Sequence, residues 1–92
     1  MSYHVIVSDN LKKTLMVLKR KDTPLFRAVE KKIVQIAASD LFSIQHFKNL
    51  RSPLNEFKRV HLGSFVLLFL VQGDTIIFEA FEHHDQIYKK RQ

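Results

Sequence analysis

Two glycine-containing dipeptides within a long apolar stretch limit the possible folds of this chain more than any other feature. Residues 57–81, FKRVHLGSFVLLFLVQGDTIIFEAF, contain Gly63-Ser64 and Gly73-Asp74. Glycine at the first position of a two-residue loop predicts a type II′ turn, because that position needs a positive φ. The stretch therefore predicts three strands joined by two tight hairpins.

Two-residue loops also determine which residues pair and which face of the sheet each side chain occupies, since paired residues share a face and neighbours alternate. The predicted pairs are His61 with Val66, Arg59 with Leu68, Leu68 with Glu79 and Val66 with Phe81. One predicted face is apolar and should pack against helices: Val60, Leu62, Phe65, Leu67, Phe69, Val71, Ile76, Phe78 and Ala80. The other carries Phe57, Arg59, His61, Val66, Leu68, Leu70, Ile77, Glu79, Phe81 and, if the strand continues, His83. A slip of one residue in either hairpin would exchange the faces.

The preceding residues predict one strand and two helices. Residues 3–7, YHVIV, are mostly β-branched and aromatic and predict a strand. Leucines at helical spacing predict an amphipathic helix over residues 9–21, and a second helix begins around Pro24 and ends near residue 39. Residues 40–56 show no clean period and predict an irregular connection with room for one short helical turn.

The composition predicts one domain, residues 1–92, of the ordinary globular class, with 46% hydrophobic and 26% charged residues. The absence of cysteine excludes disulfide scaffolds, thiolate zinc sites and cysteine nucleophiles. The N-terminus lacks the pattern of a secretory signal, and the run FVLLFLV is far shorter than the roughly 20 residues of a membrane helix. We therefore expect a cytosolic protein without a membrane segment.

The chain is strongly basic. Fifteen Lys and Arg against nine Asp and Glu give a formal net charge of +6. Such a surface attracts polyanions such as nucleic acids. A basic domain with no such partner, or one neutralised by an acidic protein, is the alternative that charge alone leaves open.

The segments FKRVHLGSFVLLF, GDTIIFEAF and HHDQIY, in this order after a strand and two helices, resemble the RelE/ParE superfamily of toxins from toxin–antitoxin systems. The positions that fit the superfamily pattern are Arg59, His61, Gly63, Phe65, His83 and Tyr88. Val66 and His84 stand where most members have arginine. A histidine before an aliphatic strand, and a second histidine four residues before Tyr88, are similar to the YafQ subgroup. That subgroup also has a histidine where this chain has Ser52, and an acid after the hairpin histidine that is missing here.

The resemblance implies an α+β protein of the β-α-α-β-β-β RelE-like fold, with a helical hairpin on one face of a mainly antiparallel four-stranded sheet. It implies the toxin of a type II toxin–antitoxin system, an endoribonuclease that cuts mRNA in the ribosomal A site. The implied partners are a cognate antitoxin protein, the ribosome and mRNA. It implies no membrane, no metal and no small-molecule cofactor.

RNA cleavage needs a base for the 2′-hydroxyl, an acid for the leaving 5′-oxygen and a cation for the phosphorane charge. Histidine serves both proton transfers near neutral pH. We expect His61 and His84 to share these two roles, Arg59 to stabilise the transition state and Tyr88 to orient the substrate. The predicted RNA-binding residues are Lys48, Arg51, Lys58, Lys89, Lys90 and Arg91.

Other interpretations of the same residues stay open at the level of sequence. The chain could inhibit DNA gyrase by binding, as ParE toxins do, or serve as an inactive relative that only binds an antitoxin. Arg59 could simply pair with Glu79, and the histidines could be ordinary polar residues on a wet sheet face. A metal site formed by His61, His83 and Asp85 matches no common ligand spacing.

Overall fold

The computed structural model describes residues 3–44, 47 and 57–86, and its elements follow the predicted order. They are β1 (His4–Val7), α1 (Asp9–Lys21), α2 (Thr23–Ala37), α3 (Leu41–Ile44), β2 (Lys58–Leu62), β3 (Phe65–Gln72) and β4 (Thr75–His83). The second helix ends two residues before the predicted boundary. The short α3 lies in the segment where the sequence left room for one helical turn. None of the described helices is long and apolar enough to cross a membrane.

The strands form one four-stranded sheet in the order β1-β4-β3-β2. Only the pairing of β1 with β4 is parallel, so the predicted mainly antiparallel sheet is confirmed. Gly63 and Gly73 have φ values of 62° and 61°, and no other described residue has a positive φ. Positive φ at the first turn position alone is the geometry of a type II′ turn, as predicted.

The helices begin at side-chain caps. The Ser8 hydroxyl oxygen accepts a hydrogen bond of 3.0 Å from the backbone N–H of Leu11 and so caps α1. Asp22 separates the two helices and accepts a 3.2 Å bond from the N–H of Leu25, and a proline in the first turn of α2 suits its start. These local signals explain why the helical hairpin was predictable.

The core lies between the helical hairpin and one face of the sheet. Leu11, Val29 and Ile36 of the helices are fully buried. They pack in one cluster with the sheet residues Leu67, Phe69, Ile76, Phe78 and Phe81. Burying such side chains contributes roughly 1.5 to 3 kcal/mol each, so this face stabilises the fold.

The pairing of β2 with β3 is confirmed, but the predicted pairing of β3 with β4 is wrong beyond Phe69. A bulge shifts the register there, so that Leu68 pairs with Ala80 instead of Glu79. Val66 likewise pairs with Glu82 instead of Phe81. Glu79 is the extra residue of the bulge. Every later residue of β4 therefore lies on the face opposite to the one that unbroken two-residue pairing predicts.

Because of the bulge, the faces predicted for Ala80, Phe81 and His83 are wrong. Phe81 pairs with Leu67 and His83 with Phe65, so both lie on the helix-facing side of the sheet rather than beside His61. Ala80 and Glu82 take their places on the opposite face.

Contacts outside the hairpin explain the bulge. Phe78 and Phe81 are three residues apart, and only an extra residue between them lets both side chains enter the same core. The carbonyl of Glu79 accepts a 2.6 Å hydrogen bond from the Ser8 hydroxyl and a 3.3 Å bond from the Asn10 amide. The start of α1 therefore supplies the partners of the bulged backbone.

Candidate active site

The candidate site lies at the end of the β2–β3 hairpin, on the sheet face opposite the helices. His61, Val66 and Glu82 form one row across three strands. His61 is exposed, Val66 is fully buried and Glu82 is half-buried. Two strand spacings separate the first and last members of the row, about 10 Å between backbones. The gap between them is bridged by an aliphatic side chain.

The next row on this face carries the candidate cation. Arg59 pairs with Leu68, which pairs with Ala80. Arg59 is half-buried, while Leu68 and Ala80 are fully buried. Arg59 and His61 are two residues apart on one strand, so they share a face at a spacing of about 7 Å. The guanidinium and the imidazole can therefore reach one substrate group.

His84 reaches the same end of the hairpin from β4. Its backbone N–H donates to the carbonyl of Ser64 at 3.0 Å, and its Nδ1 lies 3.3 Å from the same oxygen. A carbonyl oxygen only accepts, so Nδ1 is the nitrogen that carries the hydrogen in this contact. The Nε2 atom of His84 lies 3.1 Å from Oδ1 of Asp85. The Ser64 carbonyl thus orients the ring, and the turn that follows His61 holds it.

His83 and His84 are adjacent in space as well as in sequence. Their ring centroids are 4.7 Å apart at an interplanar angle of 34°. On the other side, His83 meets the ring of Phe65 edge-on at 5.7 Å. Strand β4 ends at His83 and a helical turn begins at residue 84, and this change of direction keeps the two rings on neighbouring sides.

The structure describes four of the ten predicted site residues. Arg59 and His61 share one face of β2, and His84 is bonded to the turn that follows this strand. Lys58 lies on the edge strand, where its Nζ donates to the carbonyl of Phe47 at 3.3 Å. The other six, Tyr88, Lys48, Arg51, Lys89, Lys90 and Arg91, lie outside the described residues.

One acidic residue of this region was missed by sequence reasoning, and a second was considered only together with His61 and His83. Glu82, the missed residue, entered the row of His61 only through the bulge, and Asp85 contacts both neighbouring histidines. The signal for Glu82 was present, because Glu79 and Glu82 repeat the three-residue spacing of Phe78 and Phe81. A regular strand cannot place both members of each pair on one face, whereas a bulged strand can.

Similarity to a known protein shows which family the chain belongs to. A protein of Methanocaldococcus jannaschii, named as a candidate toxin RelE4, is 44% identical over 92 residues, covering 97% of this chain and 94% of the relative. The chain belongs to the RelE toxin family. An uncharacterized protein of Methanosarcina mazei is 37% identical over 60 residues, which cover 61% of this chain and 70% of that protein. No family model matches the chain.

Solved structures confirm the RelE-like fold. A chain of the RelB–RelE complex from Methanococcus jannaschii superposes with a TM-score of 0.69 at 20% identity, over 95% of this chain and 99% of that one. The RelBE2 complex of Mycobacterium tuberculosis gives 0.66 at 22% identity, over 90% and 99%. YafQ of Escherichia coli BL21(DE3) gives 0.65 at 11% identity, over 94% and 98%. At these identities the likeness establishes the architecture alone, and the chemistry must be argued from the residues.

Proposed function

We propose that this RelE-family chain is the toxin of a type II toxin–antitoxin system that cleaves mRNA on the ribosome, in the cytosol, until a cognate antitoxin binds it. The observation that carries the proposal is the placement of two histidines and one arginine on β2 and beside the turn that follows it. His61 lies on β2, and His84 is bonded to the turn two residues after the β2 strand ends. The solved RelB–RelE and DinJ–YafQ complexes support a protein partner of this kind.

The chemistry of these side chains suits RNA cleavage by proton transfer. An imidazole on each side of the substrate phosphate can take the 2′-hydroxyl proton and protonate the departing 5′-oxygen. His84 is the better oriented of the two, since its Nδ1 faces the Ser64 carbonyl. His61 is exposed to solvent on the edge strand and is free to follow the substrate. The chemistry needs neither a metal nor a cofactor.

Arg59 supplies the positive charge for the phosphorane in this proposal. Val66 lies directly opposite His61, where most relatives have arginine, and it is fully buried. Arg59 is on the same face one row away, so its guanidinium can take over part of the missing charge. Lysines and arginines of the predicted RNA-binding set would hold the strand through phosphate contacts.

The test is cleavage of mRNA on purified ribosomes, followed by sequencing of the cut ends. The wild-type chain should produce ends in phase with codons. His61→Ala and His84→Ala should each lower the rate by roughly 10²-fold or more, because each removes a proton-transfer group. His4→Ala is the matched control, since His4 is exposed and lies on β1 at the far edge of the sheet.

Unchanged cleavage by both single variants would contradict the assignment of the histidines. Growth arrest without any cut mRNA would contradict the nuclease itself. Growth arrest with accumulated DNA breaks would instead support a gyrase inhibitor. Antitoxin binding without either effect would mark the chain as an inactive relative.

A further inference from the structure

Three potential metal ligands converge where β4 turns into the helical turn of residues 84–86. His83, His84 and Asp85 each offer one ligand atom, and these atoms all lie within 4.8 Å of one another. Consecutive side chains of a strand point to opposite faces. Here the end of the strand at His83 brings the three together, so the cluster depends on the local fold and not on sequence adjacency alone.

The hydrogen-bond acceptor beside Nδ1 of His84 leaves its Nε2 as the ligand atom. Nδ1 faces the Ser64 carbonyl at 3.3 Å and must carry the hydrogen there. In the neutral ring the lone pair then lies on Nε2, which is 3.1 Å from Oδ1 of Asp85. A histidine whose second nitrogen donates to a backbone carbonyl is the usual arrangement of a metal ligand, because that bond fixes the tautomer and the ring orientation.

The surroundings of His83 leave Nδ1 as its ligand atom. The backbone N–H of Asp85 donates to this nitrogen at 3.3 Å, so Nδ1 carries the lone pair, and an ion bound there would replace this hydrogen bond. It lies 3.8 Å from Oδ2 of Asp85. The edge-on contact with Phe65 limits rotation of the ring. Two imidazole nitrogens and one carboxylate therefore lie close enough together to bind one ion.

We propose that His83, His84 and Asp85 bind one divalent transition metal ion of the zinc class. The ligands would be Nδ1 of His83, Nε2 of His84 and a carboxylate oxygen of Asp85, with water completing the coordination. Two imidazoles and one carboxylate suit zinc, whereas magnesium and calcium prefer oxygen ligands alone. The side chains are 41%, 47% and 65% exposed, so an ion can reach them from solvent.

This site differs from the combination that the sequence suggested. His61 lies across two strands from the β4 end and is not part of the cluster, while His84 takes its place. The proposal does not depend on RNA cleavage, since it concerns binding to the free chain. Binding of the ion is therefore expected whether or not the chain cleaves RNA.

Isothermal titration of the tag-free chain with Zn²⁺ tests the site, and the absorption spectrum with Co²⁺ reports its coordination. We expect one zinc ion per chain. His83→Gln, His84→Gln and Asp85→Asn should each weaken binding by about 10-fold or more, because each removes one ligand. The ring of His84 is 47% exposed, and the substitution leaves its backbone bond to Ser64 in place, so the variants should fold.

His4→Gln is the matched control. His4 also lies beside an aspartate, with its Nε2 3.7 Å from Oδ2 of Asp74, but no third ligand accompanies that pair among the described residues. The control should bind zinc as the unaltered chain does, with the same cobalt spectrum. Equal affinity in Asp85→Asn, or an equal loss in His4→Gln, would overturn the proposal. A similarly small loss of zinc affinity on replacement of any of the histidines would also overturn it, since it would indicate scattered surface ligands.

Discussion

The two hairpins of this protein have the same type of turn but differ in how their strands pair. Both turns place glycine at a φ near 60°, and both begin with the pairing that a two-residue loop predicts. The β2–β3 hairpin keeps that register to its end, whereas the β3–β4 hairpin shifts by one residue after Phe69. A turn therefore determines the pairing only near itself, and distant contacts can change it further along the strands.

The distant contacts in this case come from the core and from α1. Phe81 enters the core only in the bulged register, and Ser8 bonds to the carbonyl that the bulge releases. Ser8 and Glu79 are 71 residues apart in sequence. The shift also changes the candidate site, because Glu82 rather than Phe81 then lies in the row of His61.

The largest effect expected in the bulged hairpin is that of Phe81→Ala. Phe81 is 3% exposed and stacks on Phe65 with ring centroids 5.2 Å apart. The truncation should lower the free energy of unfolding by about 3 to 5 kcal/mol, measured by denaturant titration. Phe65→Ala, on the half-buried partner, is the control and should cost less. A larger loss from Phe65→Ala would argue against the bulged register.

Ser8→Ala should distinguish the stability contributed by the hydrogen bond to the bulge from that contributed by helix capping. Ser8 caps α1 and also donates to the Glu79 carbonyl, whereas Asp22 caps α2 through a single bond of 3.2 Å. We expect a loss of about 1 kcal/mol for Asp22→Ala. For Ser8→Ala we expect about 2 to 3 kcal/mol, since the second bond adds to the cap. Equal losses in the two variants would mean that the bulge does not need this bond.

Sequence patterns predicted every element whose signal is local. Turn glycines, helix caps and apolar spacing act within a few residues, so the order of elements and the face of His61 and Arg59 followed from them. The position of His83 did not, because it depends on the bulge. The zinc-class cluster was missed for a related reason, since strand alternation would have separated His83 from His84. The role of Tyr88 and of the terminal basic residues stays a prediction.

The turns themselves allow the last comparison between the hairpins. A Cβ added to Gly63 or Gly73 would meet no atom within 4 Å, so an alanine there brings backbone strain without a collision. Each substitution should therefore cost about 1 to 2 kcal/mol, the penalty of a left-handed conformation for an L-residue, measured as before. Asparagine, which tolerates positive φ better, should cost less at both positions. If the turns are equivalent and only the strands differ, Gly63→Ala and Gly73→Ala should lose the same stability. A clear difference between the two losses of stability would mean that the bulge in the second hairpin also strains or relaxes its turn. The two turns would then have the same glycine φ but different energies.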